Sequence, residues 1–454
     1  MMPANLTFPE LEAAVAAGEI DTVITALVDM QGRLMGKRFH AAHFLDGGHE
    51  ETHCCNYLLA TDLEMATVQG YAATSWASGY GDYAMRPDLG TLRRIPWAPG
   101  AALCMVDMLD HHGAPIPHAP RNVLRAQVKR AAAMGLTAMM ATELEFFLFE
   151  GTPNQLADSR FSNLVPVTRH NADYSLTGNI ATEPVMRAIR NGLYGAGIPV
   201  ECTKGEAEAG QEEINIRYAP AIETCDMHTL AKAATKEIAA AHGQSATFMA
   251  KYDERRTGSS SHVHQSLWRD GRNAFADPEA EHGMSALMRS YIAGQLEYAA
   301  EITVFLAPYI NSYKRFLAGT FAPTKAVWSL DNRTAGFRVC GEGTKGVRIE
   351  CRIGGSDLNP YLACAALLAA GLDGIERGLE LEAPISGDVY SARAAREVPR
   401  TLGAAAEALH GSAMLRKAMG DDVVDHYHRA ALWEIEEQNR VVTDWERARG
   451  FERA

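Results

Sequence analysis

The 454-residue sequence predicts an α+β protein, with a small N-terminal unit over residues 1–112 and a large mixed-sheet unit over residues 113–454. Three observations carry that reading. Short apolar strands alternate with long Ala-rich helices. A polar link with three prolines, HHGAPIPHAP, separates stretches of different pattern. No internal repeat or low-complexity tract interrupts either part. With 47% hydrophobic and 22% charged residues, a chain of this length holds two to three ordinary domains, or one large catalytic domain with a smaller companion.

In chain order, a helix from Leu11 to Ala17 leads into the apolar strand TVITALVDM, a turn at Gly32 and a second strand near Arg38. Leu92 to Asp110 reads as two short strands broken by Pro96 and the Pro99-Gly100 turn. Val123, Leu124, Val128 and Ala131 to Ala133 then repeat with helical spacing, so a helix from Asn122 to Met134 opens the second unit. Further helices are expected over Thr229–His242, Ser285–Val304 and Tyr361–Arg377.

The 43 Lys+Arg against 56 Asp+Glu leave a net charge of −13, which excludes a nucleic-acid binder and an anionic-membrane binder. The N-terminus is acidic where a signal peptide is basic, and the longest apolar stretch, Tyr361–Leu372, is too short to span a bilayer. A soluble cytoplasmic protein is expected. Its eight cysteines lack paired zinc-type spacing and read as reduced thiols without a disulfide framework.

Two literal motif matches are set aside. Gly341 to Gly346 fits G-x-G-x-x-G, but a strand, VRIECRI, follows where a dinucleotide site needs a helix. Gly32 to Lys37 is one residue short of a P-loop and lacks the following Ser or Thr.

The informative acids lie on strands. In TAMMATELEFFLF, Glu143 and Glu145 are two apart and share one face. Glu206 and Glu208 precede a Gly-Gln turn, after which Glu213, Asn215 and Arg217 alternate with isoleucines. His262, His264 and Ser266 share a face, as do Arg348, Glu350 and Arg352. Isolated pairs of this kind are ordinary solvated faces, but four such strands lining one cavity would demand cations. Oxygen-rich ligation with one or two His suits Mg²⁺ or Mn²⁺. Arg333, Arg338 and Lys345 beside them would neutralise phosphate. Metals with an Arg cluster point to phosphoryl transfer from a nucleotide.

The segments ELEFFLF, EAEAGQEEINIRY, TGSSSHVHQSL, NSYKRF, GTFAPT, DNRTAGFR, KGVRIECR and DLNPYLACAALLAAGLDGI, in this order, resemble bacterial-type glutamine synthetases. The resemblance implies a β-grasp N-terminal domain and a catalytic domain with a curved antiparallel sheet. It also implies a dodecamer of two hexameric rings, with each site between neighbouring subunits. ATP would be the co-substrate, with two or three Mg²⁺ or Mn²⁺ ions. By residue-to-residue match, Glu145, Glu206 and Glu213 would hold one metal, and Glu143, His262 and Glu350 a second. Glu201, Tyr218, His264, Ser266, Arg338, Lys345 and Arg348 would bind ATP, with Arg333 and Arg348 acting on the transferring phosphoryl group. Gly258, Arg315 and Arg352, with Glu145 near the amino group, would hold glutamate. The implied reaction phosphorylates the glutamate γ-carboxylate, and an amine then displaces phosphate.

The amine end departs from the family pattern. Gln69 and Ala72 stand where ammonia-using members carry Asp and Ser, and Phe321 replaces the Glu of the flap that closes over the intermediate. Thr257 replaces an Asn, and Lys204-Gly205 replaces a His pair before Glu206, with Gly205 read as making room. Phe321, which the resemblance makes a catalytic flap residue, would line an amine pocket with Gln69, Tyr71, Ala72, Trp76 and Gly205. That apolar wall suits a neutral, bulky, aniline-type amine in amine degradation. The alternatives are a polyamine or alkylamine ligase, to which Glu208 or Glu212 could contribute, an ammonia-using glutamine synthetase, and a non-catalytic relative. Tyr390 falls where some members carry a regulatory tyrosine; its plain reading is a surface-loop residue.

Overall fold

Thr7 caps the first helix, Phe8–Ala16, through a reciprocal pair with Glu10, with Pro9 in the first turn. The computed structural model describes residues 5–392 and 395–454. Six strands follow: β1 (Thr22–Val28), β2 (Leu34–His40), β3 (Thr52–Cys55), β4 (Asp82–Pro87), β5 (Arg93–Arg94) and β6 (Ala101–Leu109). They form one sheet of order β2-β1-β6-β4-β3, with β5 on β6; β1 and β6 run parallel and the other pairs antiparallel. Period-two alternation sends Val23, Ala102 and Cys104 to one face with Leu11 and Phe44, and Ala26, Val28, Leu103 and Met105 into the main core.

Two buried polar ties join this sheet to the rest. Gly32, at φ +79, turns the chain against Asn359, whose Nδ2 donates to the Asp29 and Met30 carbonyls. Arg121 pairs with Asp226 at 3.0 Å, Asp88 at 2.8 Å and Asp107 at 2.5 Å.

The second sheet carries the chemistry. Its strands are β7 (Thr137–Glu150), β8 (Val200–Gly205), β9 (Gln211–Ile216), β10 (Ala219–Pro220), β11 (Gln244–Thr247), β12 (Val263–Arg269), β13 (Arg272–Asn273), β14 (Trp328–Leu330), β15 (Phe337–Cys340) and β16 (Arg348–Cys351). The order is β14-β15-β16-β12-β7-β9-β8, and only β14 and β15 pair in parallel. The long β7 changes partners along its length, from β12 over 137–142 to β9 over 143–147 and β11 over 147–150. The sheet therefore curls, as expected, and brings its edges round one concave face.

The Pro360–Arg377 helix, almost wholly buried, backs this sheet and lies against the Ala286–Glu297 helix. The helices approach closely at glycines: a Cβ on Gly374 would fall 2.8 Å from Gly294 Cα. The single helix expected over Ser285–Val304 is two, Ala286–Glu297 and Ala299–Leu306. Tyr298, at φ −101 and ψ 15, breaks it, and its hydroxyl donates to Asp373 at 2.7 Å. The helix expected from Thr229 begins earlier, at Ala221, directly after Pro220. Residues 341–346 form a turn between β15 and β16. All eight cysteines are free, and no helix among the described residues is long and apolar enough to cross a membrane.

Candidate active site

Alternation along β7 puts Glu143 and Glu145 on the concave face, and the β7–β9 register sets Glu145 opposite Glu213 and Glu143 opposite Asn215. Like charges directly opposed destabilise a sheet unless a cation intervenes. Glu206, in the β8–β9 turn, completes the group: one oxygen from each of Glu145, Glu206 and Glu213 lies within 4.8 Å of the others. Burial and the neighbouring Glu206 and Glu213 push Glu145 well above the usual carboxylate range. Burial, Glu143 and Glu206 push Glu213 up to about 8. The Ser260 amide donates to Glu145 at 2.7 Å and Gln211 Nε2 at 3.2 Å. Glu206, despite its burial, is instead held below the usual range by its hydrogen bonds to Glu213 and Lys204. An all-carboxylate set in which two members resist ionisation by themselves fits a hard divalent cation.

The second group is Glu143, His262 and Glu350, also within 4.8 Å. His262 Nδ1 lies 2.6 Å from Glu143 and 3.5 Å from Glu350, while its Nε2 is buried with no hydrogen-bond partner among the described residues. Glu350 is fully buried between Arg338 at 2.9 Å and Arg352 at 2.5 Å. Burial raises it, but His262, His264 and Arg352 outweigh that and bring it to about 2, so it stays ionised. Two carboxylates with the imidazole Nδ1 facing both of them suit Mg²⁺ or Mn²⁺ as well. Both ligand sets expected from the sequence are therefore brought together in space.

Two clefts meet at Glu143. The larger, about 570 Å³, is lined by Glu201, Tyr218, His264, Ser266, Lys345 and Arg348. It also holds Trp268, whose ring lies 6.0 Å from Tyr218 and whose Nε1 donates to Ser266 at 3.0 Å. Trp268 was readable as the next member of the alternating face His262, His264, Ser266. The smaller basin, about 220 Å³, holds four of the carboxylates and His262, with Gly258, Arg333, Arg338, Arg352 and Phe321. Arg333, Lys345 and Arg348 have no carboxylate partner among the described residues, so three cations stand free for an anion.

Other expected residues lie elsewhere. Arg315 does not line the basin; its buried guanidinium donates to Ser260 Oγ at 3.1 Å and to the Ile353 carbonyl. It sits behind Gly258, where a Cβ would fall 2.5 Å from Arg315 Cγ, and so supports the floor. Gly205 does not make room: the Asn179 side chain and the Ala172 carbonyl, 2.6 Å from where its Cβ would be, fill that space. Tyr71 is buried, stacked on His426 at 4.3 Å. Gln69 donates to the Tyr80 hydroxyl at 2.9 Å, and Trp76, 70% exposed, meets Tyr80 edge-on. None of Gln69, Tyr71, Ala72 and Trp76 meets Phe321 within one chain, which leaves Phe321, 56% exposed at φ +54, as the single ring of that wall at the basin.

Glu208 is paired with Arg256 at 3.1 Å, and Glu212, raised by burial to about 7, lies outside the basin. The rim has two residues that sequence reasoning passed over, Asp173 and Tyr174, and they meet Lys204, noted in the sequence only as a departure without a role, in the folded chain. Tyr390 is half-buried: burial raises its phenol, and Arg352 and Arg315 pull it back.

Residues 117–449 match the family described as glutamine synthetase, catalytic domain. The chain is 51% identical over 446 residues to a γ-glutamylethanolamide synthetase of Streptomyces coelicolor, covering 98% of this chain and 95% of that one. It is 36% identical over 434 residues to a glutamate–isopropylamine ligase of a Pseudomonas species, covering 95% of each. A solved structure described as GmaS without ligand superposes with a TM-score of 0.85 at 27% identity, over 97% of this chain and 99% of that one.

Proposed function

The chain belongs to the glutamine synthetase family of ATP-dependent carbon–nitrogen ligases, and on that premise we propose that it joins the glutamate γ-carboxylate to a small primary alkylamine rather than to ammonia. The observation that carries the proposal is the contrast between two parts of one basin. The groups that suit ATP, metals and an acyl phosphate are assembled, whereas the flap position presents Phe321 in place of an acid. The two relatives named for ethanolamide and isopropylamine products support an alkylamine.

In this reading, Tyr218 and Trp268 hold the adenine side of ATP, and Lys345 and Arg348 its phosphates. Glu145, Glu206 and Glu213 would hold one divalent cation, and Glu143, His262 and Glu350 another. Bound there, Mg²⁺ or Mn²⁺ would offset phosphate charge as the γ-phosphoryl passes to glutamate. Arg333 and Arg338 approach the same basin and stabilise the transferring group. Arg352 and the Gly258 backbone position glutamate, with Arg315 fixing the floor beneath. Phe321 closes over the γ-glutamyl phosphate, excludes water and packs on the alkyl part of the amine.

The aniline-type amine suggested by the sequence drew its apolar wall from Phe321, Tyr71 and Trp76, and Tyr71 is packed into the core. Gln69, Ala72 and Trp76 are exposed, and the proposal places them at a neighbour's basin in a cytoplasmic dodecamer of two hexameric rings. Residues 1–112 would then serve that junction and 113–454 the chemistry. Phosphate release from ATP with glutamate and an amine panel tests the reading. Ethanolamine or isopropylamine should outperform ammonium and aniline; ammonium as the best substrate overturns it.

A further inference from the structure

We infer that Lys204 restricts the amine to molecules whose reacting amino group is their only charge, an inference that rests on the alkylamine reading above. Lys204 lies near the end of β8 and lines the basin beside Phe321. Its Nζ touches the Glu206 carboxylate, lies 3.2 Å from Asp173 and 3.2 Å from the Gly205 carbonyl, and sits 4.5 Å over the Tyr174 ring. Those contacts account for its three N–H donors and leave it held in place as a fixed cation.

The charge inventory of the basin makes this cation decisive. The acids lining it are Glu143, Glu145, Asp173, Glu206 and Glu213. Four belong to the two candidate metal sets, and Asp173 is paired with Lys204. Arg333 adds a further positive charge with no carboxylate partner among the described residues, while Arg338 and Arg352 are paired with Glu350 behind the basin. No acid among the described lining residues remains for a second ammonium group. A diamine would bring that group toward Lys204 and lose binding through like-charge repulsion, whereas a hydroxyl or methyl end brings none. The same cation favours the neutral form of the reacting amine, which is the nucleophile.

The test compares 4-amino-1-butanol with 1,4-diaminobutane, matched in length, on wild-type, K204Q and K204R proteins. The wild type should prefer the aminoalcohol in kcat/KM by about tenfold or more. K204Q should shrink that preference at least about threefold, chiefly through a lower KM for the diamine, and K204R should keep it. If K204Q does not fold, the diamine's inhibition constant against the aminoalcohol in wild type serves instead: it should lie well above the aminoalcohol KM. Equal use of both amines by wild type, a diamine inhibition constant at or below that KM, or an unchanged preference in an active K204Q refutes the role of Lys204. A wild type that uses no monoamine refutes the alkylamine reading itself.

Discussion

Replacing Glu213 by Gln separates a metal ligand from an ordinary buried carboxylate, because the two roles predict opposite signs for stability. In the folded, metal-free protein Glu213 is pushed up to about 8 by burial, Glu143 and Glu206. A carboxyl raised in this way binds its proton more tightly folded than unfolded. Its contribution is neutral below the unfolded value near 4.5, and stability falls as pH rises toward 8. The full shift corresponds to about 5 kcal/mol, and water entering the open basin reduces it to an expected ~2–3 kcal/mol at pH 8.5. E213Q removes that cost and one ligand together. In EDTA at pH 8.5 the variant should therefore unfold at a higher temperature than wild type, while its gain on adding Mg²⁺ or Mn²⁺ should largely vanish. At pH 5.5 the EDTA difference should be small. Thermal unfolding with EDTA or metal at both pH values is the assay. A variant less stable than wild type in EDTA, or one that keeps the wild-type metal shift, refutes the assignment.

Three further outcomes follow from named contacts. F321E restores an acid at the flap and should raise the ratio of ammonium to alkylamine kcat/KM by about tenfold, read from phosphate release. R333A removes a cation that has no carboxylate partner among the described residues and, if Arg333 acts on the transferring group as proposed, should lower kcat by about 100-fold with little change in the KM for ATP. G205A drives a Cβ toward Asn179 and the Ala172 carbonyl and should cost about 1–3 kcal/mol in denaturant unfolding.

The parts of the site legible in the sequence are those written with period two along strands. Glu143 and Glu145, His262 and His264, and Glu350 and Arg352 each sit two apart, so a shared face follows from backbone geometry alone. The same logic would have reached Trp268. Depth was not legible: nothing local distinguishes Arg315, buried behind Gly258, from Arg352, which lines the basin. Tyr71 looked like a pocket wall because its partner, His426, lies far along the chain. Lys204, Asp173 and Tyr174 come from a strand and a distant loop and acquire meaning only when the fold joins them. The break at Tyr298 carries no Pro or Gly, and Asp373, which its hydroxyl reaches, comes from another helix.

In the proposed function one basin activates glutamate with ATP and presents it to an uncharged-tailed alkylamine. The most direct measurement is mass analysis of the products formed from ATP, Mg²⁺, glutamate and equal concentrations of ammonium, isopropylamine and aniline. γ-Glutamylisopropylamide should be the main product, with one ADP and one phosphate per amide. Glutamine or γ-glutamylanilide as the main product, or phosphate release without any amide, would contradict it.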